Sequence, residues 1–126
     1  MKEKNFVVLD KEDEKAVQIF NELGMPKNLA KTLLYIYQVD ECKTADIEQC
    51  TELRQPEVSV AIRELRKKGW IKTRYVKKKG KGRPNHIYKP AKTLSDVMKT
   101  FEQEKLKEVE AIQSDMVELE HLLRNR

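Results

Sequence analysis

Residues 44–59 read Thr-Ala-Asp-Ile-Glu-Gln-Cys-Thr-Glu-Leu-Arg-Gln-Pro-Glu-Val-Ser, and residues 60–71 continue Val-Ala-Ile-Arg-Glu-Leu-Arg-Lys-Lys-Gly-Trp-Ile. Two helices with a tight turn between them are written into this stretch. Thr44 begins the first, over roughly 45–52, with Ile47 and Cys50 facing inward and Leu53 in the turn. Pro56 opens the second, over 56–68, because the first helical position needs no N–H. Val58, Ala61, Ile62 and Leu65 recur at three- and four-residue spacing and form its inner face. Gly69 ends it.

Downstream, Trp70 and Ile71 start a strand that runs towards Val76, and Ile87 and Tyr88 form the return strand. The connection from Lys77 to Pro84 is polar and carries two glycines, as a hairpin tip requires. Upstream, Asp10 is expected to cap a helix whose apolar face is Ala16, Ile19, Phe20 and Leu23, closed by Gly24 and Pro26. Asn28 is expected to cap the next helix. There Leu29, Ala30, Leu33, Leu34, Ile36, Tyr37 and Val39 cover most of the circumference, so that helix belongs at the centre of the core.

The last segment is the longest. Thr93 with Asp96 resembles a capping box. From Leu94 to Arg124 no Gly or Pro interrupts the chain, which allows about 46 Å of continuous helix at 1.5 Å per residue. Val109, Ile112, Met116, Leu119 and Leu123 follow 3-4-3-4 spacing, a coiled-coil seam of about two heptads. A second copy of the chain is the simplest surface to cover it.

Charge is distributed unevenly over the 126 residues. The net is only +5, but 37% of residues are charged, against about 25% in ordinary domains. Between Arg54 and Lys92 lie 14 basic residues and two acids, Glu57 and Glu64, whereas residues 1–53 carry a net −4 and residues 93–126 a net −3. An acidic frame around a basic third is the pattern of a polyanion-binding surface.

Two short helices joined by a tight turn and followed by a basic hairpin make a helix-turn-helix with a wing. The fold class expected is therefore mainly α with a small antiparallel β-hairpin (α+β). A winged helix-turn-helix is placed at residues 10–90 and a C-terminal dimerisation helix at 93–126. Residues 44–71, together with the wing Lys81-Gly-Arg-Pro-Asn-His-Ile-Tyr88, resemble winged helix-turn-helix regulators of the MarR and TrmB type, archaeal and bacterial. The resemblance covers about residues 28–90. It implies a prokaryotic, homodimeric transcriptional regulator that binds a specific double-stranded DNA site.

The helix 56–68 is expected in the major groove, with Gln55, Ser59, Val60 and Arg63 facing bases. Arg63 suits guanine O6 and N7, Gln55 suits adenine, and Val60 suits a thymine methyl. Glu57 is read as a carboxylate serving the helix N-terminus, with a cytosine contact as the alternative. Thr44, Arg54 and Lys67 are assigned to phosphates. In the wing, Lys72, Arg74, Lys77, Lys78, Lys79, Lys81 and Arg83 put seven positive charges into twelve residues, for the backbone or a minor groove.

Other classes are weaker. No apolar run approaches a signal peptide or membrane span, so no membrane partner is expected. Cys42 and Cys50 imply no disulfide framework and place the chain in the cytoplasm; with His86 and His121 they fit no metal spacing. Cys50 is assigned to the core and Cys42 to a more exposed connection, with a redox switch between them the minor alternative. His86 is read as structural or phosphate-facing, and His121 as a surface residue. No catalytic constellation is legible and no cofactor is expected. Any small-molecule effector is expected in the core or at the dimer interface. An adaptor that binds RNA or protein through the same fold is the competing function, because fold alone does not set function.

Overall fold

The structure, a computed structural model, describes residues 9–76 and 85–126. Its elements are α1 (Lys11–Glu22), α2 (Lys27–Val39), α3 (Thr44–Thr51), α4 (Gln55–Lys67), β1 (Ile71–Val76), β2 (Asn85–Pro90) and α5 (Leu94–Arg124). They divide into two compact units, one ending at Thr93 and the other Leu94–Arg126.

α1 begins as its sequence dictates. The Asp10 carboxylate accepts from the Asp13 N–H at 2.8 Å and the Asp13 carboxylate accepts from the Asp10 N–H at 3.0 Å, satisfying two donors at the helix start. The inward face differs from the expected one. Val17 and Phe20 are buried, whereas Ile19 and Leu23 are each 47% exposed. The face meeting α2 is centred nearer Val17, so the expected stripe is rotated towards solvent.

α2 starts at Lys27 after Pro26, not at an Asn28 cap. It packs on α1, α3, α4 and β2, and Leu29, Ala30, Thr32, Leu33, Tyr35, Ile36 and Val39 are buried along it. The central role expected of this helix is what the structure shows. The buried Thr32 hydroxyl donates to the Asn28 carbonyl at 2.9 Å, so its burial leaves no orphan donor. Asp40 ends α2 at φ 73°, a conformation uncommon outside glycine and tolerated best by Asn and Asp.

The turn between α3 and α4 is short. Glu52 caps α3 in the left-handed region at φ 62°, Leu53 buries its side chain, and Arg54 precedes α4. α4 starts at Gln55, so Pro56 stands one position later than expected, still within the first turn where its missing N–H costs nothing. Val58, Ala61, Ile62 and Leu65 are buried, the 3–4 spacing realised. Gly69 follows at φ +78°. A Cβ there would meet no atom within 4 Å, so backbone conformation alone demands glycine.

β1 and β2 pair antiparallel from Ile71 with Pro90 to Val76 with Asn85. Trp70, 1% exposed, and Ile71 anchor the hairpin in the core. Cys42 adds a further rung: its N–H donates to the Tyr88 carbonyl at 3.0 Å, and the Tyr88 N–H donates to its carbonyl at 2.8 Å. This pairing buries Cys42 to 2% exposure, against the expectation of an exposed connection. Nothing in the local sequence announces a sheet partner 46 residues away.

Candidate nucleic-acid interface

The site is built on two helix starts. The Lys43 N–H donates to the Asp46 carboxylate at 2.9 Å ahead of α3, and the Arg54 N–H donates to Glu57 Oε1 at 2.8 Å ahead of α4. Glu57 thus serves the helix N-terminus, the first of its two expected roles.

Along α4, Gln55, Val60, Arg63, Arg66 and Lys67 are exposed and Ser59 is half-buried. The Gln55 side-chain amide donates to the Ser59 hydroxyl at 2.7 Å, which holds both polar groups on the helix surface. A groove runs between the start of α3, the flank of α4 and the hairpin. It is lined by Thr44, Ser59, Ile62, Arg63, Arg66, Lys67 and Tyr88. Four expected residues (Thr44, Ser59, Arg63 and Lys67) therefore meet in one concavity. Arg66 was not among them, although it lies three residues beyond Arg63 and seven beyond Ser59 on one helical face. That spacing was available in the sequence. Tyr88 reaches the groove only through the folding-back of β2.

Val60 does not line this groove. It borders a separate concavity with Pro26, Asn28, Leu29, Pro56, Glu57, Ala61, Glu64 and Lys68. The four residues expected to face bases thus span two flanks of the helix.

The hairpin has two faces. Paired residues share a face, so Thr73, Tyr88, Tyr75 and His86 lie on one side and Lys72, Arg74, Ile87 and Lys89 on the other. On the first, the Tyr75 and His86 rings meet edge-on with centroids 4.7 Å apart, and His86 lies 6.5 Å from Tyr88. On the second, Arg74 Nη2 donates to Glu41 Oε1 at 2.8 Å, and the Lys89 ammonium lies 3.5 Å from Glu41 Oε2. The hydrogen bond and charge of Arg74, joined by the Lys89 charge, hold the Glu41 carboxyl below the usual carboxylate range. Lys77, Lys78, Lys79, Lys81 and Arg83 lie outside the described residues.

Cys42 and Cys50 are buried and neither is in a disulfide. Burial, reinforced by the charge of Asp46, pushes the Cys42 thiol up to about 12, which suppresses the thiolate that oxidation chemistry needs. Among the described residues no cluster of three His, Cys, Asp or Glu side chains suits a metal ion, and no helix is long and apolar enough to cross a membrane. In the second unit, Val109, Ile112, Met116, Leu119 and Leu123 are 47–60% exposed along one stripe of α5.

No protein-family model and no curated protein sequence matches the chain. Solved structures do. TrmBL2, an archaeal chromatin protein, superposes with a TM-score of 0.66 at 21% identity over 89% of this chain. The fold is a winged helix-turn-helix. The chain spans 42% of the length of TrmBL2. A transcriptional regulator homologue from Pyrococcus horikoshii OT3 aligns with a TM-score of 0.49 at 22% identity, covering 78% of this chain and 93% of that one. MepR, a transcription regulator of the Staphylococcus aureus multidrug efflux pump MepA, aligns at 0.48 and 20% identity, covering 82% and 74%. In the winged helix, α3 and α4 are the helix-turn-helix and β1–β2 the wing.

Proposed function

We propose that this winged helix is a homodimeric, sequence-specific regulator of transcription that binds double-stranded DNA, without enzymatic activity. The observation that carries the reading is the groove in which Arg63, Arg66 and Lys67 converge with the Thr44 and Ser59 hydroxyls beside the wing. Three cations beside the Thr44 and Ser59 hydroxyls, with no carboxylate in the lining, suit a phosphate backbone, and the exposed start of α4 suits base edges. Gln55, Ser59 and Arg63 read bases from the groove flank, and Val60 contacts a thymine methyl from the other. Thr44, Arg54, Arg66 and Lys67 hold phosphates, and the wing lies along the backbone or in a minor groove.

The α5 stripe is covered by a second copy, with Val109, Ile112, Met116, Leu119 and Leu123 as its seam. The two recognition helices then meet half-sites about 34 Å apart on a palindromic or pseudo-palindromic operator. Such a protein works in the cytoplasm.

Selection of bound duplexes from a random library, followed by gel-shift titration at several salt concentrations, tests this. A recovered palindromic motif bound at least a thousandfold more tightly than random duplex, about the lower bound for specific readers, is the expected result. Equal affinity for every duplex would falsify specific reading, and preference for structured RNA over duplex DNA would support the RNA-binding alternative.

A further inference from the structure

Glu41 lies outside the basic stretch 54–92 in sequence, yet the fold carries it against two cations of the hairpin, Arg74 and Lys89. The cause is the backbone pairing of Cys42 with Tyr88. Side chains alternate along extended chain. With Cys42 turned inward and buried, its neighbour Glu41 falls on the hairpin face that carries Lys72, Arg74 and Lys89. One carboxylate there engages a guanidinium from β1 at 2.8 Å and an ammonium from β2 at 3.5 Å.

We propose that Glu41 is a built-in competitor for DNA phosphate: it occupies Arg74 and Lys89 in the free chain, and the nucleic-acid backbone displaces it. This rests on the duplex-binding reading above. A carboxylate offers these cations the same kind of charged oxygen acceptor that a phosphate does. The three side chains keep 32–50% of their surface in water, so a phosphate can reach them. The place of the wing does not depend on the ion pairs, because the paired Cys42 and Tyr88 backbones and the buried Trp70 and Tyr88 rings hold it. Exchange of one anion for another therefore leaves the fold intact. The acids within the basic stretch are otherwise engaged: Glu57 at the start of α4, and Glu64 at 4.0 Å from Lys67. Glu41 consequently sets how much of the wing's charge is available, and so how strongly the protein holds DNA of any sequence.

The test uses the full chain and a labelled 30-base-pair duplex, titrated from about 50 to 400 mM salt, a range in which phosphate contacts dominate the change in affinity. Glu41→Gln is expected to bind about three- to tenfold more tightly at the lowest salt. The slope of log affinity against log salt should change by less than about one, because phosphate reaches Arg74 and Lys89 in both complexes. Glu41→Asp, which keeps the competing carboxylate, should keep the wild-type affinity. In an Arg74→Gln background the gain from Glu41→Gln should shrink to the share of Lys89. Glu41→Thr, suited to extended backbone, replaces Gln if Gln impairs folding. Unchanged or weaker binding by a folded, uncharged variant overturns the proposal while leaving duplex binding intact. A wild-type chain that binds no duplex overturns both.

Discussion

The Tyr37 hydroxyl lies 2.6 Å from the carbonyl oxygen of Lys92 and 3.1 Å from that of Trp70. One phenol on α2 thus ties together the residues that enter and leave the hairpin, whose backbones also meet where the Ala91 N–H donates to the Trp70 carbonyl at 2.8 Å. The base of the wing is held by a side chain at its foot.

Tyr37→Phe keeps the ring and removes only the donor. It is expected to cost about 0.5–1.5 kcal/mol, the net value of one such bond. Thermal or urea unfolding followed by Trp70 fluorescence reads the loss, and an unchanged midpoint would show that water replaces the phenol at no cost.

Arg63 and Arg66 share the groove but are expected to differ in what they report. Arg63→Ala should cost about 1–3 kcal/mol on the preferred site and much less on random duplex, because a base contact is lost. Arg66→Ala should weaken all duplexes alike and lower the salt slope by about one. Equal losses on every sequence for Arg63→Ala would move it to the phosphate contacts.

The Cys42 thiol sits at about 12 in the folded chain, against an ordinary 9.0. The folded state therefore holds this proton more tightly than the unfolded state. Its contribution to stability is complete below pH 9 and is lost as pH rises from 9 towards 12. Denaturant unfolding between pH 8 and 10.5 should show stability falling by up to about 1.4 kcal/mol per pH unit above pH 9 for this one proton. Cys42→Val should flatten that decline below pH 10, and identical curves for both proteins would contradict the assignment. Native-state alkylation of Cys42 at pH 8 should be slow and should accelerate on unfolding.

Met116 lies in the middle of the exposed α5 stripe at 60% exposure. Met116→Lys places a charge in the seam expected between two copies. Sedimentation equilibrium should shift from dimer to monomer by at least tenfold in dissociation constant, an estimate from the cost of an unpaired charge at a buried seam position. Helix content measured by circular dichroism should fall with it, because an isolated amphipathic helix loses its partner surface. A wild-type chain that is monomeric at micromolar concentration would refute the seam.

Local patterns in the chain carry much of this architecture. Val58, Ala61, Ile62 and Leu65 announce a helix and its buried side at once, because a 3.6-residue period makes spacing and face the same information. Gly69 marks the end of that helix through a backbone angle that other residues avoid. The uninterrupted run from Leu94 to Arg124 and the basic composition of 54–92 are likewise visible without a fold. The α1 stripe shows where this reasoning weakens: Ile19 and Val17 both fit a helical period, and only packing against α2 chose Val17.

Relationships between distant segments were set by tertiary structure. Cys42 is buried because its backbone pairs with Tyr88, and Glu41 meets Arg74 and Lys89 because strand alternation then points it outward. Tyr88 joins Arg66 in the groove for the same reason, and Val60 parts from Arg63 because α2 borders one flank of α4 while the wing borders the other. Side-chain period is a property of neighbouring residues and survives in the linear chain. Which strand lies beside which, and hence which acid neutralises which base, follows from backbone hydrogen bonds between residues 46 positions apart, a distance over which no local pattern persists.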